Sequence, residues 1–219
     1  MYIPPAFRET DEGHIMAFLR EHGFATLVST EGSRPVATHL LLEPRQLGDE
    51  RLVLSGHMSR ENSQWKTFGS ASEVLAIFQG PHSYVSAAWY SVPSAPTWNY
   101  TSVHAYGLPR VIEDRGELFS LLKRLVDSQE RGHPAETRYT IESLPRSTLE
   151  GMMNGIVGFE VTVTRIEAAA KMSQNRSARD YQNIIDKLKM REDSLSRGVA
   201  AEMERRKRRG TRPSLWRFK

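Results

Sequence analysis

Three stretches of this 219-residue chain carry residue types and spacings that can do chemistry. The loop at residues 56–65, GHMSRENSQW, sets His57, Ser59, Arg60, Asn62 and Gln64 between an expected strand and an expected helix. An arginine grips a phosphate through two parallel hydrogen bonds. Ser59 and Asn62 add donors, and main-chain N–H groups at the start of the following helix aim positive dipole at the same place. The competing reading is an ordinary helix cap, because Ser, Asn and Arg cluster wherever a helix follows a strand. The second stretch, KMSQNR at 171–176, offers charge from Lys171 and Arg176. Ser173, Gln174 and Asn175 can read the edge of a heterocycle or cap a helix. The third is aromatic. Trp98, Asn99 and Tyr100 place a flat apolar face, an amide and a phenol side by side, which suits a planar ligand or the filling of a barrel core.

Other chemistries are excluded by what is missing. The seven histidines have no HxH or HExxH spacing, so no metal ligand is assigned. With no cysteine there is no disulfide, thiolate site or Cys nucleophile. No GxSxG elbow, GxGxxG or Walker-type loop occurs, so no catalytic residue is assigned and the hydrolase, dinucleotide-fold and P-loop readings fail.

Charge is unevenly placed. Residues 187–219 hold 12 Lys or Arg against 4 Asp or Glu, while the whole chain carries only +4. An acidic body with a basic tail points to attraction for a polyanion, nucleic acid first. Arg205, Arg206, Lys207, Arg208 and Arg209 are the candidate phosphate contacts. No run approaches the roughly 18 apolar residues of a spanning helix, and the first residues lack the pattern of an export signal, so a cytoplasmic protein is expected.

These stretches need elements to position them. A helix is expected over 11–22, capped by Thr10 and stopped by Gly23, and strands over 24–30 and 35–43 joined by a turn at 31–33. His39 faces away from the alternating set Val36, Thr38, Leu40 and Leu42. Further strands are expected at 51–56, 73–79, 83–90 (after a break at Gly80-Pro81), 97–111 and 156–170. Pro93 and Pro96 make a rigid corner before the aromatic strand. Leu118, Leu121, Leu122 and Leu125 mark a helix over 114–130, and Ser177 with Asp180 opens a last helix at capping-box spacing. Beyond Leu195 the pattern thins, and a mobile end is expected. Short, evenly spaced strands with few helices predict a mostly β, antiparallel barrel with flanking helices. The domains are read as 1–186 and a basic C-terminal helix and tail, 187–219.

Six ordered motifs then carry a resemblance: MYIPPAF at 1–7, FATLVS at 24–29, Gly56-His57 with N-x-QW at 62–65, FQGPHSYVS at 78–86, PTWNYTSVHAYG at 96–107 and KMSQNR at 171–176. Together they resemble the PaiB family of FMN-binding negative transcriptional regulators, in the FMN-binding split-barrel group, over most of residues 1–188. The chain departs from the family in reading HLLLEP at 39–44 and Ala87-Ala88 before Trp89-Tyr90. The resemblance implies a six-stranded antiparallel split β-barrel with a C-terminal helix, a homodimer, and FMN held at the subunit interface. The candidate FMN contacts are His39, His57, Ser59, Arg60, Asn62, Trp98, Asn99, Lys171, Ser173, Gln174, Asn175 and Arg176. The implied role is a DNA-binding repressor rather than an enzyme. The alternatives are a flavin-dependent oxidoreductase, of the flavin reductase or pyridoxamine-phosphate oxidase type, and a sensor of flavin or another planar ligand.

Overall fold

Alternation of buried and open side chains marks strands with one covered face, such as Phe24–Glu31 and Thr97–Ile112, whereas continuous buried runs mark strands covered on both faces, such as Leu52–Ser59 and the first half of Ile156–Lys171. The computed structural model describes residues 1–48, 51–70 and 73–209. Its strands are β1 (Phe24–Glu31), β2 (Arg34–Leu41), β3 (Glu43–Gln46), β4 (Leu52–Ser59), β5 (Val74–Val85), β6 (Thr97–Ile112) and β7 (Ile156–Lys171). They hydrogen-bond in the order β2-β1-β5-β6-β7-β4-β3, with the β1–β2, β1–β5, β3–β4 and β4–β7 pairs antiparallel.

This corrects the expected architecture, since the sheet has seven strands rather than six and is open rather than a closed barrel. The extra strand arises inside residues 35–43, which read as one. β2 ends at Leu41; Leu42 is fully buried and donates its N–H to the Gly23 carbonyl at 2.8 Å; β3 then starts at Glu43. β2 pairs with β1 (Phe24 opposite Leu41) and β3 with β4 (Glu43 opposite Ser55). The two edges of the sheet are therefore one residue apart in the chain.

A second correction concerns Gly80-Pro81, which does not break the chain. β5 runs through it, and the strand predicted over 83–90 ends at Val85, followed by a 3-10 helix, Ala87–Trp89. Inward positions fall at Val74, Ala76, Phe78 and Gly80, then at Ser83 and Val85, so the alternation slips by one residue around Pro81–His82, as in a bulge. Glycine is needed there. A Cβ on Gly80 would lie 2.3 Å from Thr101 Oγ1 and 2.6 Å from a Phe18 ring carbon.

The helices are α1 (Glu12–Glu21), α2 (Arg115–Glu130), α3 (Arg146–Asn154), α4 (Ala178–Lys189) and α5 (Ser194–Arg209). Asp11, not Thr10, caps α1, accepting from the His14 N–H at 2.8 Å. Asp114 caps α2 and Ser177 caps α4 in the same way. As far as Arg209, α5 takes the place of the mobile end expected beyond Leu195, because Val199, Ala200 and Met203 give it a buried side; the rest of that expectation, residues 210–219, lies outside the described residues.

By its contacts the chain divides into two units. The first comprises Met1–His22, Phe78–His104 and the chain from Glu167 onward. Its core joins Val85 and Met172 to Ile184, Ile185 and Leu188 of α4 and to Val199, Ala200 and Met203 of α5. The second comprises Gly23–Ile77 and Ala105–Ile166. There α2 sets Leu118, Leu121 and Leu125 against Ile112 and Met153, while Phe68 meets Phe159 edge-on at 5.2 Å.

Candidate functional site

In the first unit the sheet has two chemically different faces. Successive residues of a strand point to opposite sides. Asn99, Thr101 and Val103 of β6 are buried, as are Ser83 and Val85 of β5. Trp98 is 53% exposed and Tyr84 39%, their rings 6.2 Å apart and edge-on, with the His82 ring 5.8 Å from Trp98. This trio is an open aromatic surface fit to receive a planar ring. Asn99, placed beside Trp98 by the sequence, looks the other way. It is fully buried, its Oδ1 accepting from Ser173 Oγ at 2.9 Å and its Nδ2 lying 3.5 Å from Met203 Sδ.

The KMSQNR stretch joins β7 to α4 and satisfies itself. Ser173 adopts φ 58, a left-handed conformation rare for a residue with a Cβ. The Gln174 side chain accepts from the Met172 N–H at 2.7 Å and donates to the Ala170 carbonyl at 2.6 Å. Lys171 donates to Thr97 Oγ1 at 2.6 Å and lies 5.9 Å from the Phe7 ring. Arg176 donates to Ser94 Oγ at 2.8 Å and stacks 4.1 Å over Tyr90. Of the six, Asn175 and the outer parts of Lys171, Gln174 and Arg176 remain open to solvent. The structure thus gathers Asn99 and Ser173 on the inner face and leaves Trp98 on the outer one.

The second unit holds the other predicted contacts. Arg60 follows β4, and its Nε and Nη2 donate to the carbonyls of Asn154 (3.0 Å) and Ile156 (2.9 Å). Asn62 donates to Thr38 Oγ1 at 2.8 Å and accepts from the Gln64 N–H at 3.0 Å; the Ser59 hydroxyl accepts from the Glu61 N–H at 3.3 Å. His39 shares a 2.9 Å hydrogen bond with Thr26 opposite it on β1. His57 is half-buried with an unpartnered Nδ1, and burial lowers its pKa, which favours the neutral ring.

Two features of this unit go beyond the sequence reading, which names Gln64 only as one polar residue of its loop and does not single out Glu160. Gln64 is almost fully buried and is a hub, bonding Thr38 Oγ1 at 2.5 Å and the Leu27 carbonyl at 3.0 Å. The N-x-Q spacing was its signal. Glu160 is buried on β7 and accepts from Arg45 (2.7 Å), Arg110 (3.0 Å) and Ser55 (3.1 Å). Burial alone would raise its carboxyl, but bonds from Arg110 and Ser55 and the Arg45 charge outweigh this and hold its pKa below the usual value. The lone Glu in the apolar run IVGFEVTV was the clue.

The basic segment is helical and partly engaged. Arg206 donates to Glu202 Oε1 and Glu9 Oε2, each at 2.6 Å, and Arg205 pairs with Glu202. Lys207 donates to Gln182 at 2.6 Å and Arg208 is exposed. The Arg209 side chain and residues 210–219 lie outside the described residues. Among the described residues no three His, Asp or Glu side chains gather as a metal site, and no helix is long and apolar enough to cross a membrane.

The fold and these motifs place the chain among known proteins. It belongs to the family described as "Putative FMN-binding domain", matched over residues 1–165. Among individual relatives it is 39% identical over 204 residues to protease synthase and sporulation protein PAI 2 of Bacillus subtilis, covering 93% of this chain and 97% of that one. The chain is thus a PaiB-family member, as its motifs indicate. Two solved structures share the fold: the flavocytochrome Anf3 from Azotobacter vinelandii (TM-score 0.58, 15% identity, 80% of this chain and 75% of that one) and the FAD and heme binding protein from Mycobacterium smegmatis (TM-score 0.55, 18% identity, 80% and 78%).

Proposed function

We propose that the protein is a cytoplasmic, flavin-binding homodimer that regulates transcription, with FMN as the flavin. The observation that carries the reading is the open aromatic surface of Trp98, Tyr84 and His82 in a chain of an FMN-binding family. Trp98 receives the flavin ring, and a second copy of the chain covers what remains of the surface, since an exposed aromatic patch favours association. Bound flavin would bring its redox chemistry to this surface; the protein's own part is to hold the ring and shield it from water. Among the described residues of the basic run, Arg208 and Lys207 carry no ion pair, and contact with DNA falls to them, Arg208 above all. Relationship to a protein named for protease synthesis and sporulation supports a regulatory role.

The test is the visible spectrum of the purified protein, followed by FMN titration of the wild type and Trp98→Ala. Flavin absorbance or saturable binding, with affinity reduced at least tenfold in the variant, is expected. A colourless protein that binds no FMN overturns the reading. Sedimentation at micromolar concentration tests the dimer, which a monomer would refute.

A further inference from the structure

α5 turns one side to solvent and holds it in a fixed position. At 3.6 residues per turn, Arg197, Ala201, Arg205 and Arg208 fall within about 80° of one another on that side, and all four are exposed. The opposite side is locked in place. Val199, Ala200 and Met203 lie in the core with α4, and Arg206 bonds Glu202 and Glu9. Gly198, between the two sides, packs so closely on β5 that an added Cβ would sit 2.8 Å from the Pro81 Cβ. Asp193 caps the start of the helix, accepting from the Ser196 N–H at 2.7 Å. The outward arginines are therefore carried on a packed helix.

The charge on this side is net positive. Arg197 and Arg208 carry no ion pair among the described residues, and Arg205, bonded to Glu202 through Nε and Nη2, still has a side chain 49% exposed. The nearby acids are largely engaged. Glu202 is buried and bonded by Arg205 and Arg206, Glu204 pairs with Lys189, and among the residues lining the groove between α5 and α1 only Glu21 is an exposed acid. Arg197 and Arg208 stand eleven residues apart, about 16 Å along the axis, so the three arginines form a row rather than a cluster. A row of cations matches an extended polyanion. Lipid headgroups are the poorer match, because a helix that lies on a membrane turns a large apolar side to it, and that side of α5 is occupied in the core.

We infer that the outward side of α5 lies along the backbone of duplex DNA, with Arg197, Arg205 and Arg208 each on a separate phosphate and the small Ala201 letting the helix come close. The phosphates of one strand advance about 3.4 Å along the duplex axis per nucleotide, so the row spans about five of them. Contacts of this kind position a protein without reading sequence. The inference rests on the DNA-binding reading above and deepens it. Arg197 lies outside the basic run 205–209, so it separates a helical face from a cationic end.

The test is fluorescence anisotropy of a labelled duplex of about 20 base pairs with the full-length protein, over about 50 to 300 mM KCl. Each phosphate contact contributes about −0.9 to the slope of log affinity against log salt. Arg197→Ala, checked for folding by circular dichroism, is expected to weaken binding about fivefold near 0.1 M salt and to flatten the slope by about 0.9. Combined with Arg208→Ala it should flatten the slope by about 1.8, and equally on two duplexes of unrelated sequence. Arg146→Ala, which removes an exposed cation of the second unit, is expected to change neither affinity nor slope. If the wild type binds and a folded Arg197→Ala keeps its affinity and slope, the face is wrong and the DNA-binding reading survives on the basic run alone. An equal loss in Arg146→Ala overturns the face as well, as does binding to vesicles of phosphatidylserine and phosphatidylcholine with none to DNA. A wild type that binds no duplex at the lowest salt overturns the DNA-binding reading and the inference together.

Discussion

Ser173 donates its hydroxyl to Asn99 Oδ1 at 2.9 Å while its own backbone sits at φ 58, and both side chains are buried. A left-handed serine persists only where its surroundings hold it. Here the hold is the Asn99 amide, which fixes the link between β7 and α4.

Two substitutions separate the backbone from the side chain. Ser173→Ala keeps the strained conformation and leaves Asn99 Oδ1 without its donor, so unfolding stability should fall by about 1–3 kcal/mol. Ser173→Gly loses the same bond but relieves the strain, and should come out about 1 kcal/mol more stable than the alanine variant. Urea unfolding of the two variants measures the difference; an alanine variant at least as stable as the glycine one would show that the conformation carries no strain.

The contact between Glu9 and Arg206 should appear as a pH dependence. Burial raises the Glu9 carboxyl, but the Arg206 charge and the hydrogen bonds from Asp11 and Arg206 prevail, so its pKa lies below the ordinary 4.5. A depressed folded-state pKa means that the stabilisation is present above the unfolded value and lost as pH falls through the folded one. The stability gap between wild type and Glu9→Gln should therefore be largest near pH 7 and shrink below pH 4.5. Arg206→Ala, which takes the arginine from Glu9 while Glu202 keeps Arg205, should cost about 1–3 kcal/mol at pH 7. Denaturant midpoints over a pH series check both.

Arg60 has a structural duty that its place in a donor-rich loop conceals. Arg60→Ala removes two bonds to the carbonyls of Asn154 and Ile156 at an exposed site, and should lower stability by about 1 kcal/mol. Thermal melts test this. Titrating the variant with FMN and with riboflavin, which lacks the phosphate, separates any phosphate contact, because only that contact weakens FMN selectively.

Much of this was legible from residue pattern alone. The leucine stripe of α2, the Ser177 cap and the β1–β2 hairpin are local signals, and the structure contains each. Gly80-Pro81 misleads because its glycine answers a distant demand, the approach of Phe18 from α1, which no local rule reveals. α5 looks weak in sequence because three buried side chains suffice once α4 lies against them. The aromatic strand carried its own correction. Period two puts Trp98 and Asn99 on opposite faces, so one planar-ligand pocket could not take both from the same side. Gln64 and Glu160 are polar residues inside apolar surroundings, and only their partners explain them.

Leu42 couples two hairpins that would otherwise be independent. The β1–β2 register is set from Phe24 opposite Leu41, and the β3–β4 register from Glu43 opposite Ser55, with a single residue between. A strand displaced by one residue turns every side chain to the wrong face. An insertion or deletion at position 42 would therefore throw one of the two pairings out of phase with the other. The turn at Gly32 and the segment after Gln46 sit outside this constraint, so natural length variation among relatives should collect there and spare the junction.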